Sequence, residues 1–263
     1  MLGAIAGDII GSVYERHNLK SKEFVLFSPA ARFTDDSVLT VALAEAIMDN
    51  ADFGLVMKRY CRRYPKVGYG ASFKRWAQAA ESRPYNSWGN GAAMRTSSVG
   101  YAFATLDEVL QQAEFYASFT HNHPEGVKGA QATAAAIFLA RNGAAKDEIK
   151  SYTTSRFRYD LARTLDEIRP AYTFDVSCQG TVPQALTAFL ESQDYEDAVR
   201  NAISLGGDSD TLACITGAVA EAFYGKVPDS VAAGVRKILD EELWQTVARF
   251  HAIYTPIEKS RLL

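Results

Sequence analysis

Several things are scarce in this chain, and each scarcity closes off a class of answer. Its 263 residues hold three cysteines, Cys61, Cys178 and Cys214, far apart and without a CxxC pair. They supply neither a disulfide framework nor a thiolate zinc site, and read as reduced core thiols of a cytoplasmic protein. Of only four histidines, His121 and His123 stand two apart in a polar turn. That is not a typical zinc spacing, which leaves turn stabilisation or contact with a bound ligand. No apolar run approaches the roughly 20 residues that span a bilayer, so no membrane segment is expected. The first residues, MLGAIAGDIIGSVYE, lack a basic stretch and carry Asp8, which argues against a signal peptide. Net charge is -3 with no basic run, and a nucleic-acid partner needs a clustered positive footprint. Period-two alternation is short wherever it occurs, so strands are nearly absent from the expectation. No fixed-period repeat and no linker-like shift divides the chain.

What is present is ordinary for a globular protein: 48% hydrophobic and 22% charged residues. A chain of this length forms one large core or two small ones. Ala-rich apolar patterns at helical spacing dominate. The expectation is an all-α fold, one domain over residues 1–263, a compact bundle of roughly a dozen helices. Gly3, Gly7 and Gly11 recur at every fourth position of the first helix, a row that lets another backbone approach closely. Asp8 and Glu15, seven apart, would share a face of that helix. Residues 16–33 form a long polar loop, of the kind that is functional or mobile. Helical segments over 51–80 are broken by Gly68-Tyr69-Gly70, and 81–90 is a loop by its turn chemistry. An amphipathic helix covers 106–118, another begins near Pro124 and ends at Arg141, and further helices fill 146–167. A loop at 174–180 precedes two helices over 181–205, with Asp194 as a cap between them. At least one more amphipathic helix lies within 230–253, and the tail Lys259–Leu263 is expected to fray.

Two acidic turns stand out. Thr34-Asp35-Asp36-Ser37 leads into an apolar helix, and Gly206-Gly207-Asp208-Ser209-Asp210-Thr211 leads into another, Leu212 to Tyr224. Hydroxyl and carboxylate residues cap helices and complement the dipole at helix starts. They are also hard oxygen donors suited to Mg²⁺, Mn²⁺ or Ca²⁺. If Asp35, Asp36, Asp208 and Asp210 converge, their repulsion demands protons or cations. Carboxylates from two remote segments can bridge a pair of ions about 3.5–4 Å apart, the arrangement of two-metal hydrolytic sites. Between the two turns, Gly89-Asn90-Gly91-Ala92-Ala93-Met94-Arg95 enters a helix whose free N–H groups could cradle an anion.

These motifs carry a resemblance. Gly7 to Glu15, Phe33 to Ser37, Gly89 to Arg95, Thr120-His121-Asn122-His123-Pro124 and Gly206 to Thr211 stand in the order found in the ADP-ribosylglycohydrolases. That group includes dinitrogenase reductase-activating glycohydrolase and the eukaryotic ADP-ribosyl-acceptor hydrolases. The resemblance runs from Gly3 to about Gly225, with Ser37 where the family often has Thr. It implies two divalent cations, Mg²⁺ or Mn²⁺, held by Thr34, Asp35, Asp36, Asp208, Asp210 and Thr211. It implies catalytic roles for Glu15, Asp35 and Asp36, and substrate contacts from Gly89, Asn90, Gly91, Met94, Arg95 and His121. The 16–33 loop would be a mobile flap with Glu15 at its root. The implied reaction releases ADP-ribose from an ADP-ribosylated protein or small molecule, with arginine the first linkage expected. Serine, nucleobase and O-acetyl linkages stand as alternatives, as does a non-catalytic ADP-ribose-binding protein. On the residues alone, a metal-dependent phosphatase also fits.

Overall fold

The structure, a computed structural model, describes residues 1–255, so the expected fraying of Lys259–Leu263 lies outside the described residues. The described chain is helical, and its one β-bridge is isolated, Gly89 to Ser177. In order the helices are α1 Leu2–Gly11, α2 Asp35–Asp49, α3 Phe53–Arg63, α4 Ala71–Gln78, α5 Gly91–Met94, α6 Ser97–Ala102, α7 Leu106–Ala117 and α8 Pro124–Arg141. They continue as α9 Lys146–Phe157, α10 Leu165–Ile168, α11 Cys178–Leu190, α12 Tyr195–Ser204, α13 Ser209–Tyr224, α14 Asp229–Ile238 and α15 Glu241–Tyr254. The bundle is all-α as expected. It holds more helices than a dozen because α5 and α10 are single turns of four residues.

Helix α13 is the axis. Every residue from Ser209 to Ala222 is buried, which follows from a sequence that is small and apolar on all faces. Helices α1, α8, α11 and α12 wrap it. Its tightest neighbour is α1, and the glycine row explains why. A Cβ on Gly3 would fall 2.4 Å from the Gly217 carbonyl, one on Gly7 2.0 Å from the Ala213 carbonyl, and one on Gly11 2.6 Å from Cα of Asp210. Those partners descend as the glycines ascend, so the two helices run antiparallel with their backbones in contact. The register brings the end of α1 to the start of α13, and Asp8 to Asp210.

Capping chemistry sets the other ends. Thr34 caps α2 by accepting from the Asp36 N–H at 3.2 Å. Asp194 caps α12 as expected, and Thr105 with Glu108 makes a full capping box on α7. Pro124 opens α8 behind His123, whose Nδ1 accepts from the Glu125 N–H at 3.1 Å.

Two expectations change. Asp8 and Glu15 do not share a helix face, because α1 stops at Gly11. Ser12 Oγ donates back to the Ile9 carbonyl and accepts from the Arg32 N–H, which turns the chain out of the helix. The loop at 174–180 ends earlier than expected, since Ser177 caps α11 and Cys178–Gly180 already lie in its first turn. The stretch 230–253, expected to hold at least one helix, holds two, α14 and α15.

Candidate metal centre and active site

The two acidic turns, far apart in sequence, meet beside Asp8. Single carboxylate oxygens of Asp8, Asp36 and Asp210 lie within 4.8 Å of one another, and all three residues are buried. Asp8 is the best satisfied. Its Oδ1 accepts from Thr34 Oγ1 at 2.6 Å, and its Oδ2 from the N–H groups of Thr34 at 2.9 Å and Ser37 at 3.1 Å and from the Ser37 hydroxyl. Three of these donors meet Oδ2 and one meets Oδ1, so Asp8 fixes the Thr34–Ser37 turn while Oδ1 keeps an acceptor site for a cation. The Thr34 hydroxyl donates to Asp8 and accepts the cap bond of α2, which leaves it one lone pair. Asp36 differs: its Oδ1 is buried without a hydrogen-bond partner.

The second turn is built otherwise. Gly206 and Gly207 both take positive φ, 70° and 75°, a conformation that costs glycine little. Asp208 follows at the N-cap position of α13 but makes no side-chain cap bond, so capping does not account for it. It accepts instead from Asn90 Nδ2 at 2.7 Å. Asn18 reaches across from the 16–33 loop. Its Oδ1 accepts from the Gly207 N–H, and its Nδ2 donates to the Glu15 carbonyl at 3.0 Å. Lys20 donates to the carbonyls of Arg169 at 2.9 Å, Tyr172 at 2.6 Å and Leu205. Arg200 holds the carbonyls of Lys22 and Phe24, each at 2.8 Å. The loop expected to be a flap is thus tied at several points to the segments that carry the acids.

Burial and crowding push these carboxyls up. Burial is the largest cause for Asp35, which rises to about 7, with Asp8, Asp208 and Glu15 adding repulsion. Burial, then Asp8, Asp35 and Asp208, raise Asp36 well above the usual carboxylate range. Burial, then Asp208 and Asp36, do the same for Asp210. Asp208 is raised by burial against the opposing hydrogen bonds of its neighbours. A cluster that resists losing its protons, and holds an oxygen with no partner, fits a divalent cation.

A cleft of ≈ 860 Å³ opens onto the acids. Deep in it, Arg95 is buried with no carboxylate in salt-bridge reach among the described residues. Its Nη2 donates to Thr120 Oγ1 at 2.8 Å, and its Nε and Nη1 have no partner. Burial lowers its pKa to about 10, which leaves a full positive charge at neutral pH. His121 lies alongside, its Nδ1 2.7 Å from Thr120 Oγ1, and burial followed by the Arg95 charge keeps it neutral. Gly89 and Gly91 pack against its ring: a Cβ on Gly91 would lie 3.3 Å from Nε2. Met94 lines the same wall. Of the expected anion cradle, the Gly91 N–H has no acceptor among the described residues, while its two predecessors are engaged. The Gly89 and Asn90 N–H groups are already donated, to Ser87 Oγ at 3.1 Å and the Val176 carbonyl at 2.7 Å. The NH₂ of Asn90 is spent on Asp208 and Thr181. The Arg95 guanidinium adds a buried positive charge behind the cleft wall.

Sequence reasoning passed over several residues here. Asp8 was legible only as a helix-face carboxylate, although the glycine row around it marks close approach. Nothing in the sequence marks Asn18. Trp88, Phe174 and Val176 line the cleft and stay about half exposed, at 52%, 54% and 52%; large apolar side chains left open at a cleft mouth signal a ligand.

A family model described as ADP-ribosylglycohydrolase matches residues 1–259. Human ADP-ribosylhydrolase ARH3 is 26% identical over 312 residues, which cover 88% of this chain and 86% of that protein. ADP-ribosylarginine hydrolase Tri1 of Pseudomonas putida is 27% identical over 262 residues, covering 86% of this chain and 69% of that one. A solved structure described as an ADP-ribosylglycohydrolase-related protein complex superposes with a TM-score of 0.71 at 23% identity, covering 96% of each chain, and supports the fold. With the motifs and the acid cluster in one cleft, the family match is decisive: this chain belongs to the ADP-ribosylglycohydrolases and is an enzyme of that kind.

Proposed function

We propose that the protein hydrolyses the bond between the anomeric carbon of ADP-ribose and an acceptor, using two divalent cations, Mg²⁺ or Mn²⁺, and releasing ADP-ribose. The observation that carries this reading is the unpartnered buried Oδ1 of Asp36, set beside Asp210 in a cluster of raised-pKa acids. Asp35, Asp36, Asp208 and Asp210 would hold the cations, with Thr211 next to them. Thr34 would join them through the remaining lone pair of its hydroxyl, which donates to Asp8 and accepts from the Asp36 N–H. When bound, the cations orient substrate oxygens and lower the pKa of a bound water.

The chain's own groups account for the rest. Asp35 or Asp36 accepts the proton of the attacking water, and Glu15, lining the cleft beside them, manages the proton on the leaving group. Positive charge developing at the anomeric carbon, as in other glycosyl hydrolysis, is stabilised by the surrounding carboxylates. Arg95, in the cleft wall, supplies the positive charge that favours the diphosphate there. Neutral His121 and the Gly89–Gly91 turn pack against the ribose side, with Met94 beneath. Trp88 and Phe174 offer faces on which a base can stack. Arginine is the linkage expected from the resemblance and is the one in the name of the P. putida relative. Three free thiols support a reducing, cytoplasmic setting. No helix among the described residues is long and apolar enough to cross a membrane.

The test is release of ADP-ribose from arginine- and serine-linked substrates in Mg²⁺, repeated with Asp36→Ala and Asp210→Ala. Each variant should lose at least about a hundredfold in turnover. Full turnover by either would remove the cations from the mechanism.

A further inference from the structure

The cleft mouth has two chemically distinct lips. One is aromatic and apolar: Trp88, Phe174 and Val176. The other is basic: Arg16, Arg32 and Lys66 line the cleft and are exposed. Among the described residues none of these three cations sits in an ion pair. The chain as a whole carries -3, so three unpaired cations on one lip are a local excess and not a general property of the surface.

The backbone places this lip against the reacting end of the cleft. Arg16 follows Glu15 directly. Arg32 is anchored by its N–H to Ser12 Oγ at 3.1 Å, two residues before Thr34. Lys66 precedes Val67, whose carbonyl accepts the Asp35 N–H at 2.9 Å. All three stand on segments that carry or hold the first group of acids. The aromatic lip belongs to other segments, the two loops joined by the Gly89–Ser177 bridge. If the base stacks on the aromatic lip and the diphosphate meets Arg95, the anomeric carbon lies at the acids. Whatever is attached to that carbon then leaves past Arg16, Arg32 and Lys66.

Resting on the proposed function, we infer that the acceptor is a polypeptide segment rich in acidic side chains around its modified residue, recognised by Arg16, Arg32 and Lys66. The linkage atom is a separate matter. A modified arginine or serine set among aspartates and glutamates is favoured over the same residue set among lysines. The lip adds a long-range term: it steers acidic segments toward a cleft whose depths are themselves acidic when no cation is bound. Each exposed charge pair contributes little, and three acting together give about a tenfold preference that salt erodes.

The test uses ADP-ribosylated peptides with glutamate, glutamine or lysine flanks, each made with serine- and with arginine-linked ADP-ribose, in Mg²⁺ at low and high salt. Fluorescence anisotropy reads binding of the labelled peptides, and ADP-ribose release reads the reaction. The glutamate series should bind about tenfold tighter than the glutamine series and lysine weaker still, with the order compressed by salt. The triple variant Arg16→Glu, Arg32→Glu, Lys66→Glu should reverse that order and leave the affinity for free ADP-ribose unchanged. Equal binding across the three flanks overturns the inference. So does a parallel fall in affinity for free ADP-ribose, which would assign the lip to the diphosphate. Absence of ADP-ribose release from every peptide would sink the proposed reaction instead, while the binding order would still judge the lip.

Discussion

The two halves of the acid cluster are held in opposite ways. The Thr34–Ser37 turn is fastened from within the core: one buried carboxylate, Asp8, gathers four donors from it. The Gly206–Thr211 turn has no such internal fastener. Two glycines with positive φ lead into it, and it is held from outside by Asn90 and by Asn18 of a surface loop. The first half is therefore expected to keep its shape without ligand, and the second to depend on its neighbours and on a cation. Rigid and adjustable ligand sets on one site are a way to combine orientation with exchange.

The sharpest way to break this contrast is to remove its internal fastener. Asp8→Ala leaves buried donors of Thr34 and Ser37 without an acceptor, which should cost about 3 kcal/mol or more of stability, read by urea denaturation. An unchanged midpoint would show that Asp8 does not organise the turn. The next effect is pH-dependent. Burial and mutual repulsion raise the cluster's carboxyls above their unfolded values, Asp35 to about 7. Between the ordinary carboxylate range near 4 and that value, the folded chain binds more protons than the unfolded one. Cation-free protein should therefore lose stability as pH rises through this window. Added Mg²⁺ restores it, so the gap in melting temperature between Mg²⁺ and EDTA samples should widen from pH 5 to pH 8, to on the order of 5 °C. A gap that narrows with pH would contradict the raised pKa values.

Smaller effects separate the outer supports. Asn18→Ala, at an exposed position, should cost about 1 kcal/mol of stability or less, but weaken Mn²⁺ binding about tenfold by freeing Gly207. Asn18→Asp keeps the acceptor for the Gly207 N–H and loses the donor to the Glu15 carbonyl. It separates support of the cations from placement of Glu15, through Mn²⁺ affinity against turnover. The mildest change is Thr105→Ala on α7, far along the chain from either turn. It should cost about 1 kcal/mol as a lost cap and leave cation affinity alone; a fall in affinity would mean that the acids respond to any loss of stability.

Much of this was legible beforehand because the signals are local. Helical periodicity, Pro124 at the start of α8, Asp194 before α12 and the hydroxyl–acid turns each state their role within a few residues. The glycine row also spoke plainly, since only close backbone contact rewards glycine at three successive turns of a helix. What escaped depends on pairing across the chain. The end of α1 at Gly11 is set by Ser12 meeting Arg32, so Glu15 could not be placed by helical spacing. Asn18 is one polar residue in a polar loop until Gly207 arrives beside it. The N–H groups of Gly89 and Asn90 looked free because their acceptors, Ser87 Oγ and the Val176 carbonyl, are not set by the motif itself. The two lips are visible only once their segments border one cleft.

The central claim is that the remote turns share their cations. A double-mutant cycle on Mn²⁺ affinity, with Asp36→Asn, Asp210→Asn and both together measured by calorimetry, tests it directly. The account predicts that the losses do not add, the double variant binding little worse than the weaker single one. Strictly additive losses, each variant forfeiting its own independent ion, would contradict it.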